Sequence, residues 1–174
     1  RPWIVAGGLA VRTSGVGVLF ALGIVPVREV SPDVPVVRFT IAPPPDVLGL
    51  LSPAISPDGR RLVFVGATRG RSSLWLRPLD AITAQPIAGT EGALLPFWSP
   101  DSRHVGFFAG GKLKRVDLAG GPVATLSDAP KPRGGAWSEA GGAVFAPVAG
   151  GGVHTVAGAG GSATPVSETM PVYR

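Results

Sequence analysis

The chain has 174 residues, 45% of them hydrophobic, with 26 glycines, 19 prolines and no cysteine. Without cysteine there is neither a disulfide framework nor a cysteine-built metal centre. The formal charge of +5 comes from 16 Lys and Arg against 11 Asp and Glu; the cations are scattered rather than clustered with aromatics on one face, so no nucleic-acid partner is expected.

From Trp3 to Val27 the chain is almost wholly apolar, and the first acid is Glu29. A helix of that length spans about 37 Å, enough to cross a ~30 Å hydrocarbon core. Residues 1–28 are therefore expected to form a single transmembrane α-helix, with Trp3 and Arg28 at its two interfaces. Arg12 opposes this by about 2.5 to 3.5 kcal/mol near a helix centre, which the surrounding Ile, Val, Leu and Phe offset. Two other readings stay open. In one, the segment is a signal peptide with Arg12 as its charged start, although no clean small-residue cleavage site follows. In the other it is a buried helix of a soluble domain, for which polar positions are too few. Residues 29–52 form a proline-rich tether with one island, Val36–Ile41, whose alternation and β-branched residues predict a strand.

The remainder repeats itself. Ala54-Ile55-Ser56-Pro57-Asp58-Gly59 leads into the apolar run Leu62-Val63-Phe64-Val65, and Phe97-Trp98-Ser99-Pro100-Asp101-Ser102 leads into Val105–Phe108. Ser-Pro-Asp-Gly suits a type I turn. Ser56 bonds back to the local backbone, Pro57 presets φ, Asp58 suits the third position and Gly59 takes positive φ without strain. Such a turn joins the strands of a hairpin. A third copy, Trp137-Ser138-Glu139-Ala140-Gly141, is one residue shorter, lacks the proline and precedes Ala143-Val144-Phe145. The turn serines Ser56, Ser99 and Ser138 stand 43 and 39 positions apart. Leu74, Leu113 and Val153 keep steps of 39 and 40, as do Ile87, Leu126 and Val166.

A period near 40 residues with four short strands per unit is the signature of a β-propeller blade. The first unit divides into Pro53–Ile55, Leu62–Val65, Ser73–Arg77 and Ala84–Ile87, with glycine or proline at nearly every junction. Blades are expected at about 53–96, 97–135 and 136–174. The expected fold is all-β: a β-propeller fragment of about three four-stranded blades after a transmembrane helix. Three units are too few to close a ring of roughly 4 to 8 blades, and the only methionine is Met170. The chain is thus expected to be a piece of a longer protein, with Val36–Ile41 completing the last blade. Phe64, Phe107 and Phe145 fall in the second strand of their units and are expected in the core. Trp98 and Trp137 precede their turns where the first unit has Ile55, so packing between blades is expected of them rather than ligand stacking.

The wording SPDGRRLVFV…LWLRPLD, followed by FWSPDSRHVGFF…LKRVDLAGG, resembles the WD40-like blades of the TolB-type propeller superfamily over roughly the last two thirds of the chain. RFTIAPPP before the first blade and PFWSPDS…GFFAGGKLKRVDLAGG in the second are similar, more narrowly, to a kinase-linked propeller. That propeller follows the membrane helix in many bacterial transmembrane serine/threonine protein kinases. The resemblance implies a membrane-tethered module, its blades extracytoplasmic or periplasmic, acting as a sensor that docks a protein or peptide. Ser102 departs from the pattern, since glycine is usual at that turn position. Similar blades also gate the active site of prolyl-oligopeptidase-like serine peptidases, and TolB-like periplasmic proteins bind partners; both remain alternatives.

No catalytic motif is present: there is no Gly-x-Ser-x-Gly, His-Glu-x-x-His or phosphate-binding loop, and no kinase active-site residue has a counterpart. Neither a cofactor nor a metal is expected. His104 and His154 read as solvated strand histidines with no acidic partner nearby in sequence. Asp58 and Asp101 are the acids best placed to bind a cation or amine at the rim, although an aspartate in such a turn more often bonds its own backbone. Gly150-Gly151-Gly152 reads as a hairpin. Lys112-Leu113-Lys114-Arg115 reads as an exposed edge strand, where lysine discourages pairing with other chains.

Overall fold

The computed structural model describes residues 40–41, 43–45 and 47–166. The expected membrane helix at 1–28 lies outside the described residues, as does most of the expected strand Val36–Ile41; Thr40 and Ile41 are in no strand. Among the described residues no helix is long and apolar enough to cross a membrane. They form strands only: β1 Leu50–Ile55, β2 Arg61–Thr68, β3 Arg71–Pro78, β4 Gln85–Pro86, β5 Leu94–Trp98 and β6 His104–Ala109. After these come β7 Lys112–Asp117, β8 Ala124–Asp128, β9 Gly135–Trp137, β10 Gly142–Phe145, β11 His154–Ala157 and β12 Thr164–Pro165.

These strands make three separate four-stranded sheets, β1 to β4, β5 to β8 and β9 to β12, each an antiparallel meander. Every unit of the sequence period is one sheet. The sheets stack face to face, and successive residues of a strand serve different cores. Val63, Val65 and Leu74 of the first sheet meet Trp98, Val105, Phe107 and Val116 of the second. Phe97, Phe108 and Leu113 turn the other way and meet Ala143, Phe145 and Val156 of the third. Leu62 and Phe64 leave the far face of the first sheet and pack with Val47, Leu50 and Trp75. A strand buried on both faces cannot alternate apolar with polar, which is why β2 and β6 read as unbroken apolar runs. Each fully buried Phe, Leu or Val contributes about 1.5 to 3 kcal/mol of transfer free energy.

Two expectations are corrected. The first strand starts at Leu50, before Pro53, and it runs through an irregularity between Leu51 and Ala54. Ser52 there has a φ of 48°, and Leu95, one period later, has 49° at the matching irregularity of β5. Both precede proline, which cannot donate to a ladder and is tolerated at such a bulge. Read as a boundary, Pro53 instead lies inside the strand. The second correction concerns β7, which carries Lys112–Arg115 and is no edge. It lies between β6 and β8, with Leu113 fully buried and Lys112 Nζ 2.6 Å from an Asp128 carboxylate oxygen.

Candidate functional site

The Ser56, Ser99 and Ser138 turns lie at the same end of their sheets, each joining the first strand to the second. In the first, Gly59 N–H donates to the Ser56 carbonyl at 2.8 Å, closing the expected turn, and Gly59 has a φ of 68°. The Ser56 hydroxyl donates to Asp58 and accepts the Arg61 N–H at 2.9 Å, while Asp58 also accepts the Arg60 N–H at 3.1 Å. The second turn repeats this with Ser99, Asp101, Arg103 and His104. In the third, Gly141 N–H donates to the Ser138 carbonyl at 3.0 Å, and no aspartate takes part. The serine hydroxyl and then the backbone N–H two residues on hold the carboxyls of Asp58 and Asp101 below their ordinary range, despite a small opposing desolvation. Pro57 and Pro100 occupy the second position of their turns.

Contacts across the sheets organise this end further. At the first joint the Trp98 indole N–H donates to the Ala54 carbonyl at 2.9 Å, and the Arg61 guanidinium lies 5.4 Å from the Trp98 ring centre. Arg61 donates to the Ser102 carbonyl at 2.6 Å, and the buried Ser102 hydroxyl accepts the Asp58 N–H at 3.1 Å. At the second joint His104 stacks on Trp137 with ring centres 6.1 Å apart and planes inclined by 22°. Its Nε2 is 3.5 Å from Asp117 and its Nδ1 is 3.9 Å from Asp101. The expectation that no acid lies near His104 in sequence is overturned by Asp101, three residues before it, and strand pairing brings Asp117 opposite it as well. The Ser99 hydroxyl is engaged by its own turn rather than by an imidazole, so these groups do not form a nucleophile and base pair.

Among the clefts at this end, two lie beside the turn aspartates. One of about 570 Å³ lies beside Asp58, Arg61, Leu79 and Asp80. The other, about 340 Å³, lies at the second joint between Asp101 and His104 on one side and Trp137 and Glu139 on the other. Among the described residues, no group of three or more His, Asp or Glu side chains is disposed to hold a metal.

No protein-family model matches the chain, and no curated protein does. Solved structures do match. TolB from Acinetobacter baumannii superposes with a TM-score of 0.59 at 21% identity, covering 68% of this chain and 32% of its own. A putative TolB from Agrobacterium tumefaciens superposes at 0.60 and 19% identity, covering 68% of this chain and 46% of its own. The fold is that of β-propeller blades. A prolyl endopeptidase structure shares it more distantly, with a TM-score of 0.52 at 15% identity over 71% of this chain and 22% of that one. At these identities the likeness is one of fold, and the chain spans less than half the length of the TolB structures it matches.

Within this propeller the named aromatics take distinct places. Phe64, Phe107 and Phe145 are fully or almost fully buried, at equivalent positions of successive blades. Trp98 is buried at the first joint, whereas Trp137 is only half-buried because it borders the second cleft. His154 packs on Phe145, ring centres 6.2 Å apart, rather than facing solvent. Sequence reasoning missed Arg61, Ser102 and His104 as residues that join blades. The signal was present: Arg61 and His104 are one period apart, as are the tryptophans they cover. Aligning the units on the turn serines brings them into register.

Proposed function

We propose that these blades are a non-catalytic protein-interaction module whose turn face receives a protein or peptide partner. The observation that carries this is the pairing of a stiff scaffold with a chemically varied end. Blades pinned through Trp98, Arg61 and Ser102 hold the turns in place, and the turns carry Arg103 and, around two clefts, Asp58, Arg60, Asp101 and Glu139. Recognition residues are commonly displayed on loops that a rigid scaffold positions. Fold alone does not assign this role; the varied side chains of the turn face support it.

In its fuller form the proposal makes the module the extracytoplasmic sensor of a bacterial membrane serine/threonine protein kinase, tethered through residues 1–28. The wording of the first two blades supports that form. The prolyl endopeptidase likeness favours a second reading, in which the blades gate a serine hydrolase. A TolB-like periplasmic partner-binding protein is the third. The coding sequence on either side of the chain separates them: kinase motifs upstream support the sensor, and a downstream Gly-x-Ser-x-Gly supports the peptidase.

The interaction reading is tested by photo-crosslinking in cells, with the probe placed at Arg60 or Arg103 on the turn face and at Arg71 or Lys112 at the opposite end. A discrete adduct from the turn face alone is expected. Equal yields from both ends, or none, would refute it. Protease accessibility on intact spheroplasts tests the topology, the blades being digested from outside if the sensor reading holds.

A further inference from the structure

We infer that the cleft at the second blade joint binds the guanidinium of a partner's arginine, in the way the first joint holds the protein's own Arg61. This rests on the turn face being the partner surface and adds what the partner must bring to it.

The first joint shows how the fold holds such a group. Arg61 lies 5.4 Å from the centre of Trp98, donates to the Ser102 carbonyl at 2.6 Å and sits 3.5 Å from the Asp58 carboxylate. One blade on, the period puts His104 at the place of Arg61, Trp137 at that of Trp98 and Asp101 at that of Asp58. The aromatic face and the carboxylate are kept, but the occupant is shorter. Gly141 stands in the place of Ser102 as the positive-φ residue of its turn, so no hydroxyl reaches back toward the second turn. A cleft of about 340 Å³ is left where the first joint is filled from within.

The charge of this cleft selects a cation. Asp101, Glu139 and the guanidinium of Arg115 border it, Asp117 lies behind His104, and the charge of Arg103 in the second turn also reaches Asp101. Two carboxylates border the cleft against one guanidinium, which makes it acidic in a chain whose net charge is +5. Glu139 occupies the position where the first two turns carry proline, so the departure of the third turn from the pattern supplies an acid to the cleft. Guanidinium suits the site better than ammonium, because it is planar, stacks on an aromatic face and offers paired donors to carboxylates.

The test titrates Nα-acetylarginine amide into the full chain while the indole N–H of Trp137 is followed by NMR. A saturable shift of that signal is expected, with the neutral citrulline analogue binding roughly tenfold more weakly. His104→Arg is expected to fill the cleft from within and abolish the shift, while the melting temperature stays at or above that of the parent. Asp101→Asn combined with Glu139→Gln is expected to weaken binding about tenfold. Equal binding of the citrulline analogue, a shift confined to Trp98, or undiminished binding by His104→Arg would each overturn the inference. If arginine amide fails to bind while turn-face crosslinks persist, this inference falls and the partner surface stands. If the crosslinks vanish while arginine amide still binds, the reverse holds.

Discussion

Gly106→Ala probes the packing between the second and third blades. Gly106 lies opposite Phe97 in the pairing of β6 with β5. A Cβ at this position would come within 2.4 Å of the Phe97 Cζ and 2.5 Å of its Cε2. Carbons in good contact sit about 3.5 to 4.0 Å apart, so the ring would have to retreat by about 1 Å. It has no room to do so. On the third blade a Cβ at Gly135 would lie 2.8 Å from the same ring, and Phe108 and Trp137 flank it with centres 6.1 and 6.0 Å away. Backbone strain plays no part, because Gly106 is not at positive φ. Alanine in place of glycine by itself stabilises by about 0.4 to 1 kcal/mol through the unfolded chain, and overpacking costs about 1 to 3 kcal/mol. Sterics win, and a net loss of about 1 to 2 kcal/mol is expected in urea unfolding. Phe97→Leu makes space at a cost of its own, roughly 1 to 3 kcal/mol. In that background Gly106→Ala should be neutral or better, giving a coupling of at least about 1 kcal/mol. A parent-like midpoint for Gly106→Ala, or strict additivity of the two changes, would show that the ring does not lie across Gly106.

Other perturbations separate the roles of the turns. Gly59→Val should lower stability by more than about 1 kcal/mol even though nothing lies within 4 Å of the new Cβ, because a β-branched residue at positive φ is strained; an unchanged urea midpoint would remove the turn assignment. At Ser102, whose φ is 58°, alanine keeps the strain and loses the bond to the Asp58 N–H, a cost of about 1 kcal/mol. Glycine loses the same bond but relieves about 1 kcal/mol of strain, so Ser102→Gly should match the parent while Ser102→Ala falls below it. Equal melting temperatures for alanine and parent would mean that the bond contributes nothing. Asp58 and Asp101 have folded-state carboxyl pKa values depressed below the unfolded ones. Their contribution is therefore present above the ordinary carboxylate range near pH 4 and lost as pH falls through the folded values. Acid unfolding monitored between pH 6 and pH 2 should be less steep in the Asp58→Asn, Asp101→Asn variant, and an unchanged slope would contradict the turn bonding.

Much of the blade architecture is legible in the chain itself, because its determinants are local. Ser56 to Gly59 build their turn from their own φ preferences and side-chain bonds, which need no partner sheet. The apolar runs of β2 and β6 and the period between the turn serines place the strands and the number of sheets. Which side chains meet across strands and between blades could not be read that way. Gly106 and Gly66 look like strand defects until Phe97 and Trp75 are seen to lie across them. Ser102 looks like a flawed turn residue until its hydroxyl is found holding Asp58 of the preceding blade. His104 looks isolated until strand pairing sets Asp117 opposite it and stacking sets Trp137 beneath it. Ser102 meets Asp58 across 44 positions and a blade joint, whereas the glycine and aromatic pairs cross neighbouring strands of one sheet. In both cases strand register and sheet stacking, not local preference, decide which side chains meet. The candidate site belongs to this second class. Its residue types were written in the repeat, but only the stacking of the blades decided that one joint closes over its own arginine while the next stays open.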